Sequence, residues 1–335
     1  MNCKHLILAL LLGISYCSQA QQKTRFQVIN TYKINSDGGW DYLAIDGKNN
    51  NLYLSHGNQV NIINKNTGDS TSIIRNTQGV HGIAIANAFN KGYTSNGKMG
   101  TCTVFDLSTL ASIGQISVGQ NPDAIFFDDF SKKIIVFNGK SLDASVIDPL
   151  TDKVVATIPL GGKPEAGVSD GKGKIYVNIE DTGEIVSFDA TTFKVLSRYK
   201  LKGGEEPSGL AIDRVTSRLF TVCANKVMLV LDAKTGRIIS TLPIGGGCDG
   251  VVFDPVLKTA YSSNGEGTIT VVKEESPEKF VIQETIITKT GARTIALDPL
   301  THHLFLPTAA FEKPVGTARP KRIAGSFQIL EVGYL

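Results

Sequence analysis

Seven near-equal repeats, about four short strands in each, and one strand left over at the N-terminus predict an all-β chain. The architecture they specify is a seven-bladed β-propeller whose last blade is closed by the N-terminal strand. The repeat is carried by WDYLAID (40–46), VHGIAIA (80–86), PDAIFFD (122–128), PEAGVSD (164–170), PSGLAID (207–213), CDGVVFD (248–254) and ARTIALD (292–298). Their second residues are Asp41, His81, Asp123, Glu165, Ser208, Asp249 and Arg293, spaced by 40, 42, 42, 43, 41 and 44 positions. Composition agrees: 34 glycines, one tryptophan and only 19% charged residues suit many short strands joined by tight turns.

Each unit follows one plan. A small-plus-apolar first strand buried on both faces explains continuous runs such as AIFF, where a half-exposed strand would alternate. A turn such as DGKNN or DPVLK leads to a second strand (LYLS, GYTS, IIVF, KIYV, LFTV, AYSS, LFLP). A third run ends in an acid or amide (NIIN, TVFD, SVID, VSFD, LVLD), and a further turn leads to a fourth strand such as VVATIPLGG. Asp106, Asp148, Asp189 and Asp232 recur with that third turn and are read as turn-forming. The sixth unit departs, with Lys273 in place of the acid and a longer turn, KEESPEKF. The seventh lacks a fourth strand, and RFQVINTYKI (25–34) has no unit of its own, so the N-terminal strand is expected to complete that blade and remove the free edge.

Residues 1–20 read as a secretory signal peptide: Lys4, the apolar run LILALLLGI and a small-x-small site ending at Ala20. The domain is then residues 21–335, one propeller, periplasmic or secreted, with no membrane span and expected to act as a monomer. Bulky Tyr16 before Cys17 argues against a lipid anchor. Removing residues 1–20 deletes one Lys and no acid, so the formal charge falls from +3 to +2. That near-balance gives no global reason to expect nucleic acid or an anionic membrane as partner. Three cysteines remain, Cys102, Cys223 and Cys248, and a Cys223–Cys248 disulfide is left open.

The run VIDPLTDKVVATIPLGGKPEAGVSDGKGKIYVN (146–178) resembles the YVTN-type repeat of YncE-like exported β-propellers, and the resemblance extends over essentially the whole chain from about Arg25 to Gly333. It implies the propeller fold. It implies little about activity, because propellers host unrelated functions.

Strand direction assigns the candidate site. The start of each first strand and the end of each second strand share the face around the channel mouth. Asp41, His81, Asp123, Glu165, Asp249 and Arg293 are expected to form one ring there, with Ser208. A second ring is expected from His56, Asn96, Asn138, Cys223, Asn264 and Thr308, with Asn178 and Glu180 flanking the equivalent position in blade four, and Asn225 and Glu205-Glu206 close by. Convergent acids, amides, one His and one Arg are the groups of a polar ligand site. His81, Asp123 and Glu165 can supply nitrogen and oxygen ligands to a divalent metal ion, the one cofactor the sequence suggests. The plainer reading is that strand-end Asp and Asn cap turns.

The expected function is therefore an envelope binding or scaffold protein, its partner an unidentified small molecule or envelope protein. The alternative is a metal-assisted, lactonase-like hydrolase in which Glu165, Asp123 and Asp249 hold the ion and His81 shuttles protons. Single-stranded nucleic acid binding ranks third, because the ring is acidic rather than basic. No GxSxG, HExxH or CxxC motif is present, and the glycine-rich loops open no helix. The insertion TAAFEKPVGTARPKRIAG (308–325), with Lys313, Arg319, Lys321 and Arg322, is expected on the mouth face as a basic lid.

Overall fold

The computed structural model describes residues 26–36, 38–313 and 321–334. The expected signal peptide and the centre of the insertion, with Pro314, Gly316, Arg319 and Pro320, lie outside them.

Seven four-stranded antiparallel sheets follow one another along the chain. Blade one runs from the innermost strand Trp40–Asp46 to the outer strand Ser70–Ile74. Blades two to six begin at Val80–Ala86, Pro122–Asp128, Pro164–Ser169, Pro207–Asp213 and Cys248–Asp254. Blade seven takes Ala296–Leu297, Leu304–Thr308 and Gln328–Tyr334 from the C-terminal end, and its outermost strand is Phe26–Lys33. Each innermost strand packs on the next around the ring, and the seventh packs on the first.

The burial pattern shows why such short strands suffice. The middle strands are almost wholly buried, while outer strands such as Lys153–Pro159 alternate between exposed and covered residues. The apolar core is divided into seven slabs, one at each blade–blade junction. Tyr53 and Ile62 of blade one meet Phe105 of blade two, for example, and Phe137 of blade three meets Phe188 of blade four. No blade buries its faces alone, so each is held by its neighbours.

Polar groups fasten the opposite face. The innermost strand ends on Asp46, Asp128, Asp213 or Asp254 in four blades and is followed directly by Asp298 in blade seven, and each of these acids is buried. These carboxylates cap the turn that follows; Asp213 accepts the Val215 N–H at 2.8 Å and Asp254 the Val256 N–H at 2.9 Å. Several also reach the next blade: Asp128 accepts from Ser169, Asp254 from His302 Nδ1 at 2.6 Å and Asp298 from Lys65. The third-strand acids behave as the sequence indicates, with Asp106 and Asp189 each accepting two backbone N–H groups of their turns.

Closure is tightly specified. Phe26–Lys33 pairs antiparallel with Gln328–Tyr334 from Phe26↔Tyr334 to Lys33↔Gln328. Buried Glu331 accepts from Asn30 Nδ2 at 2.7 Å, Tyr32 Oη at 2.6 Å and His303 Nδ1 at 2.7 Å. Phe26 lies 5.6 Å from the Tyr261 ring of blade six and 4.8 Å from Tyr334. Phe26→Ala is expected to lower unfolding free energy by about 3–5 kcal/mol, the range for deleting a buried Phe. Tyr32→Phe, which removes a hydrogen bond to a charged acceptor, is expected to cost about 1.5–3 kcal/mol. Denaturant melts of both variants check this; a loss below about 1 kcal/mol for Phe26→Ala would mean that the N-terminal strand is not what seals the ring.

Candidate functional site

A repeated irregularity builds the mouth. In blades one to six the first residue of the innermost strand pairs normally with the end of the second strand, as Trp40↔His56 and Pro122↔Asn138 do. One extra residue then intervenes before pairing resumes, at Leu43↔Leu54 and Ile125↔Val136. The same bulge occurs in the other four blades. It falls on the position of Asp41, His81, Asp123, Glu165, Ser208 and Asp249, turning those side chains out of the pleat toward the opening. A bulge leaves a backbone carbonyl without a partner in its own sheet. In blades one, three and five a neighbouring blade supplies one: Ser95 donates to the Asp123 carbonyl, Asn178 Nδ2 to Ser208 O at 2.9 Å and Thr294 Oγ1 to Asp41 O at 2.6 Å. In blade seven, where pairing is confined to Ala296↔Phe305 and Leu297↔Leu304, Ser263 of blade six donates to the Arg293 carbonyl in the same way.

The side chains meet as one network. His81 Nδ1 stands 2.7 Å from Asp41 Oδ2 and 3.7 Å from Asp123 Oδ1. Its ring lies over Gly97, where a Cβ would come within 2.7 Å of it, so that position needs glycine. Arg293 Nε donates to Asp249 Oδ2 at 2.7 Å, and its terminal nitrogen lies 3.5 Å from Asp41 and 3.3 Å from the Trp40 carbonyl. Lys163 reaches Glu165 at 2.8 Å and also pairs with Glu180. A cavity of about 390 Å³ opens beside Asp41, His81, Asn121, Lys98 and Arg293.

Ligand-capable atoms of Asp41, His81 and Asp123 all lie within 4.8 Å of one another. The trio expected from sequence was His81, Asp123 and Glu165. Asp41 takes the third place because His81 turns its Nδ1 toward it and stands between Asp41 and Asp123, while Lys163, two residues before Glu165, pairs with that carboxylate.

Negative charge outnumbers positive here. Asp41, Asp123, Glu165, Glu180 and Asp249 make five carboxylates against three fixed cations, Lys163 and Arg293 paired with them and Lys98 on the cavity wall. Burial pushes Asp123 up to about 7, reinforced by Asp41 and opposed by His81. Burial and then Asp123 push Glu165 up to about 8, against Lys163. Asp249 is raised by burial and by Asp41, against the pull of Arg293. Burial disfavours charge on His81, but its bond to Asp41 and the fields of Asp123, Asp41 and Glu165 outweigh that and raise it.

Tyr42 forms the floor. The residues after the mouth position in the other blades are small: Gly82, Ala124, Ala166, Gly209, Gly250 and Thr294. Tyr42 from blade one packs across against the apolar cluster of blades three and four. Burial holds its phenol well above the ordinary range, and the carboxylates of Asp123, Asp41, Asp249 and Glu165 add to that. This residue was not among those singled out from sequence; one large side chain among six small ones was the available signal.

The expected second ring does not face the opening. Asn96, Asn138 and Asn264 are fully buried and spend their amides on their own blades: Asn96 on Thr101 and Thr103, Asn138 on Asp143 and Ser145, Asn264 on Thr268 and Thr270. Asn178 is the blade-to-blade tie described above, and Ile179 rather than a polar residue pairs with Pro164. Buried His56 stacks on Phe327 with ring centres 3.9 Å apart, and Thr308 donates to the Thr290 carbonyl at 2.7 Å. Asn225 is exposed and ties the turn between the second and third strands of blade five to the segment that precedes that blade, accepting from Glu205 N–H and donating to Gly203 O. Cys102, Cys223 and Cys248 are buried free thiols; Cys248 Sγ donates to the Cys223 carbonyl at 3.1 Å, and burial pushes the two thiols up to about 12 and about 11 respectively. His302 and His303, in the turn after the innermost strand of blade seven, bond Asp254 and Glu331. At the insertion's base Phe311 bridges Arg322, whose guanidinium sits 5.6 Å from the Trp40 ring, which places both ends of the loop on the mouth face.

The raised acids fix a pH dependence. An unfolded Asp or Glu titrates near ~4, whereas Asp123 and Glu165 in the fold keep their protons to about 7 and about 8. Between those limits the folded state binds more protons than the unfolded one, so their contribution to stability falls as pH rises from about 4 to about 8. Asp123→Asn is expected to flatten this slope and to raise stability at pH 8, in chelator, by at least about 1 kcal/mol, the free energy accompanying about one pKa unit. Thermal or denaturant melts across that window decide it; parallel curves for the two proteins would refute the buried-acid account.

No family model matches the chain. Over 165 residues it is 27% identical to a protein described as "Uncharacterized protein YncE" from Salmonella typhimurium, a match covering 48% of this chain and 46% of that protein. YncE from Salmonella typhi matches to the same extent. The chain thus spans about half the length of the curated relatives it matches. In three dimensions it resembles a chain of Kuenenia stuttgartiensis hydrazine synthase, with TM-score 0.70 and 16% identity, covering 82% of this chain and 94% of that one. That likeness concerns fold alone. Among the described residues no helix is long and apolar enough to cross a membrane. The chain is thus a seven-bladed propeller that is similar in sequence to YncE over about half its length.

Proposed function

We propose that this chain is an exported, non-catalytic binding protein whose channel mouth captures a divalent cation. The observation that carries the reading is the imidazole of His81 set between the carboxylates of Asp41 and Asp123. The charge count supports it. Five carboxylates face three fixed cations, leaving a surplus that protons or a bound cation must offset. One nitrogen and two oxygen donors suit zinc, manganese or ferrous iron better than the all-oxygen preference of calcium or magnesium. A metal held at the rim by three side chains keeps open positions for a small anionic or carbonyl ligand from solvent. Such a protein would serve as a receptor or scaffold in the envelope, with the basic rim residues Lys98 and Arg322 near the ligand's path.

The test is thermal stability with Mg²⁺, Ca²⁺, Mn²⁺ or Zn²⁺ added, together with metal analysis of natively purified protein. Ligand at a hundredfold excess over Kd should stabilise by about 2.7 kcal/mol. His81→Ala and Asp41→Asn should abolish the shift, and Glu165→Gln should leave most of it. A shift that survives His81→Ala, or the absence of both shift and co-purified metal, would overturn the proposal.

A further inference from the structure

Tyr42 divides the channel, and the half beneath it has a different character. A second cavity of about 470 Å³ lies among the innermost strands of blades three to seven. Its walls are largely the half-buried Phe126, Val168, Ile212, Val252, Ile295 and Leu297. That size and lining fall within the range of small-molecule sites. The innermost strands run away from the mouth, so this chamber opens on the opposite face. The acids at those strand ends are buried and committed to turns and neighbouring blades, which takes them out of the chamber.

Two features at the entrance indicate what fits. The turn tips after the innermost strands of blades five, six and seven carry Val215, Val256 and Leu300, which are 84%, 70% and 71% exposed. Arg214 stands on the chamber wall, anchored by its Nε to the Ser169 carbonyl at 2.9 Å. It also lines an adjoining groove of about 480 Å³ between blades four and five, together with Lys172, Lys174 and Lys234. The acid in that groove, Asp170, is occupied by the backbone N–H groups of Lys172 and Lys174 at 2.7 and 2.9 Å. An apolar chamber thus continues into a groove with four cations and one engaged carboxylate.

We propose that the lower half of the channel binds a single anionic amphiphile, with the acyl chain in the chamber and the carboxylate or phosphate head on Arg214 and the three lysines. Burial of the chain supplies affinity in proportion to apolar area. The cations select the anionic head and draw it in over long range. This site is independent of the metal reading at the mouth.

The experiment titrates sodium dodecanoate, below its micelle concentration, into the full chain by calorimetry. Dodecanol supplies a tail without charge and butyrate a charge without a tail. One dodecanoate per chain is expected, with dodecanol at least tenfold weaker and butyrate giving no heat. Val252→Phe, which fills the chamber, should weaken binding at least tenfold. If that variant does not fold, Lys172→Gln combined with Lys234→Gln leaves the core untouched and should weaken binding three- to tenfold and reduce its salt dependence. His81→Ala should bind dodecanoate as the unaltered protein does, which separates this site from the mouth. A parallel arm offers lysophosphatidylglycerol in vesicles: its capture would identify a lipid as the source, and capture of dodecanoate alone a free fatty acid. Failure of both amphiphiles, uptake of several per chain with loss of the melting transition, dodecanol binding as tightly as dodecanoate, or a lysine variant with unchanged affinity and salt dependence would each overturn the proposal.

Discussion

The backbone carbonyl of a mouth residue, left without a partner in its own sheet, is the constraint on which the mouth depends. A buried backbone acceptor without a donor costs free energy comparable to a lost hydrogen bond. The fold meets that cost with side chains from adjacent blades: Ser95, Asn178, Ser263 and Thr294. Each bond fixes the backbone of a mouth residue and at the same time sets the spacing between two blades. The geometry of the ring and the packing of the propeller are therefore one problem. Exchanging buried Ser95 would therefore move the Asp123 carboxylate at the rim.

Closure joins this network to the chain ends. Arg293 belongs to blade seven yet bonds Asp249 of blade six and reaches Asp41 and the Trp40 carbonyl of blade one. Trp40 in turn stacks on Phe327 at 5.7 Å, and Phe327 stacks on His56. The seam between last and first blade thus runs through the candidate site. The N-terminal strand, pinned by Glu331, holds the C-terminal strand that follows Phe327 in place. Loosening that strand would disturb the position of Asp41 before any blade unfolded.

Blade number, the N-terminal closing strand and the turn acids were legible because each rests on a local signal repeated many times. The ring of position-two residues was legible for the same reason. The bulge was not, because it shows itself only in pairing. Nor could spacing alone say that Asp41 rather than Glu165 joins His81 and Asp123, since that choice follows from Lys163 pairing with Glu165 and from the His81 bond to Asp41. The asparagines misled for a different reason. Asn96, Asn138 and Asn264 sit at the ends of second strands, where a rim was expected, but the next strand offers hydroxyl or carboxyl partners at alternate positions: Thr101 and Thr103, Asp143 and Ser145, Thr268 and Thr270. Alternate residues on one strand share a face, so that spacing marks an amide bound inside its own blade.

The repeats also separate structure from function by internal comparison. At the last position of the aligned stretch the residues are Asp46, Ala86, Asp128, Asp170, Asp213, Asp254 and Asp298, and the acids cap the following turn, as Asp46 does for Lys48 and Asp298 for Leu300. Uniformity there reflects a task every blade shares. At the second position the residues are Asp, His, Asp, Glu, Ser and Asp in blades one to six, although the backbone around them is nearly the same, and Arg in blade seven. A common structural task would be met by a common residue. Different residues on equivalent scaffolds instead meet at one point, where charges are mutually unbalanced and two acids keep their protons to near-neutral pH. Tyr42 fits the same logic, because a single large side chain among six small ones closes the channel once, whereas seven would not fit. The variation is thus concentrated where the blades converge, and convergence is what lets seven copies of one simple unit hold an asymmetric ligand site.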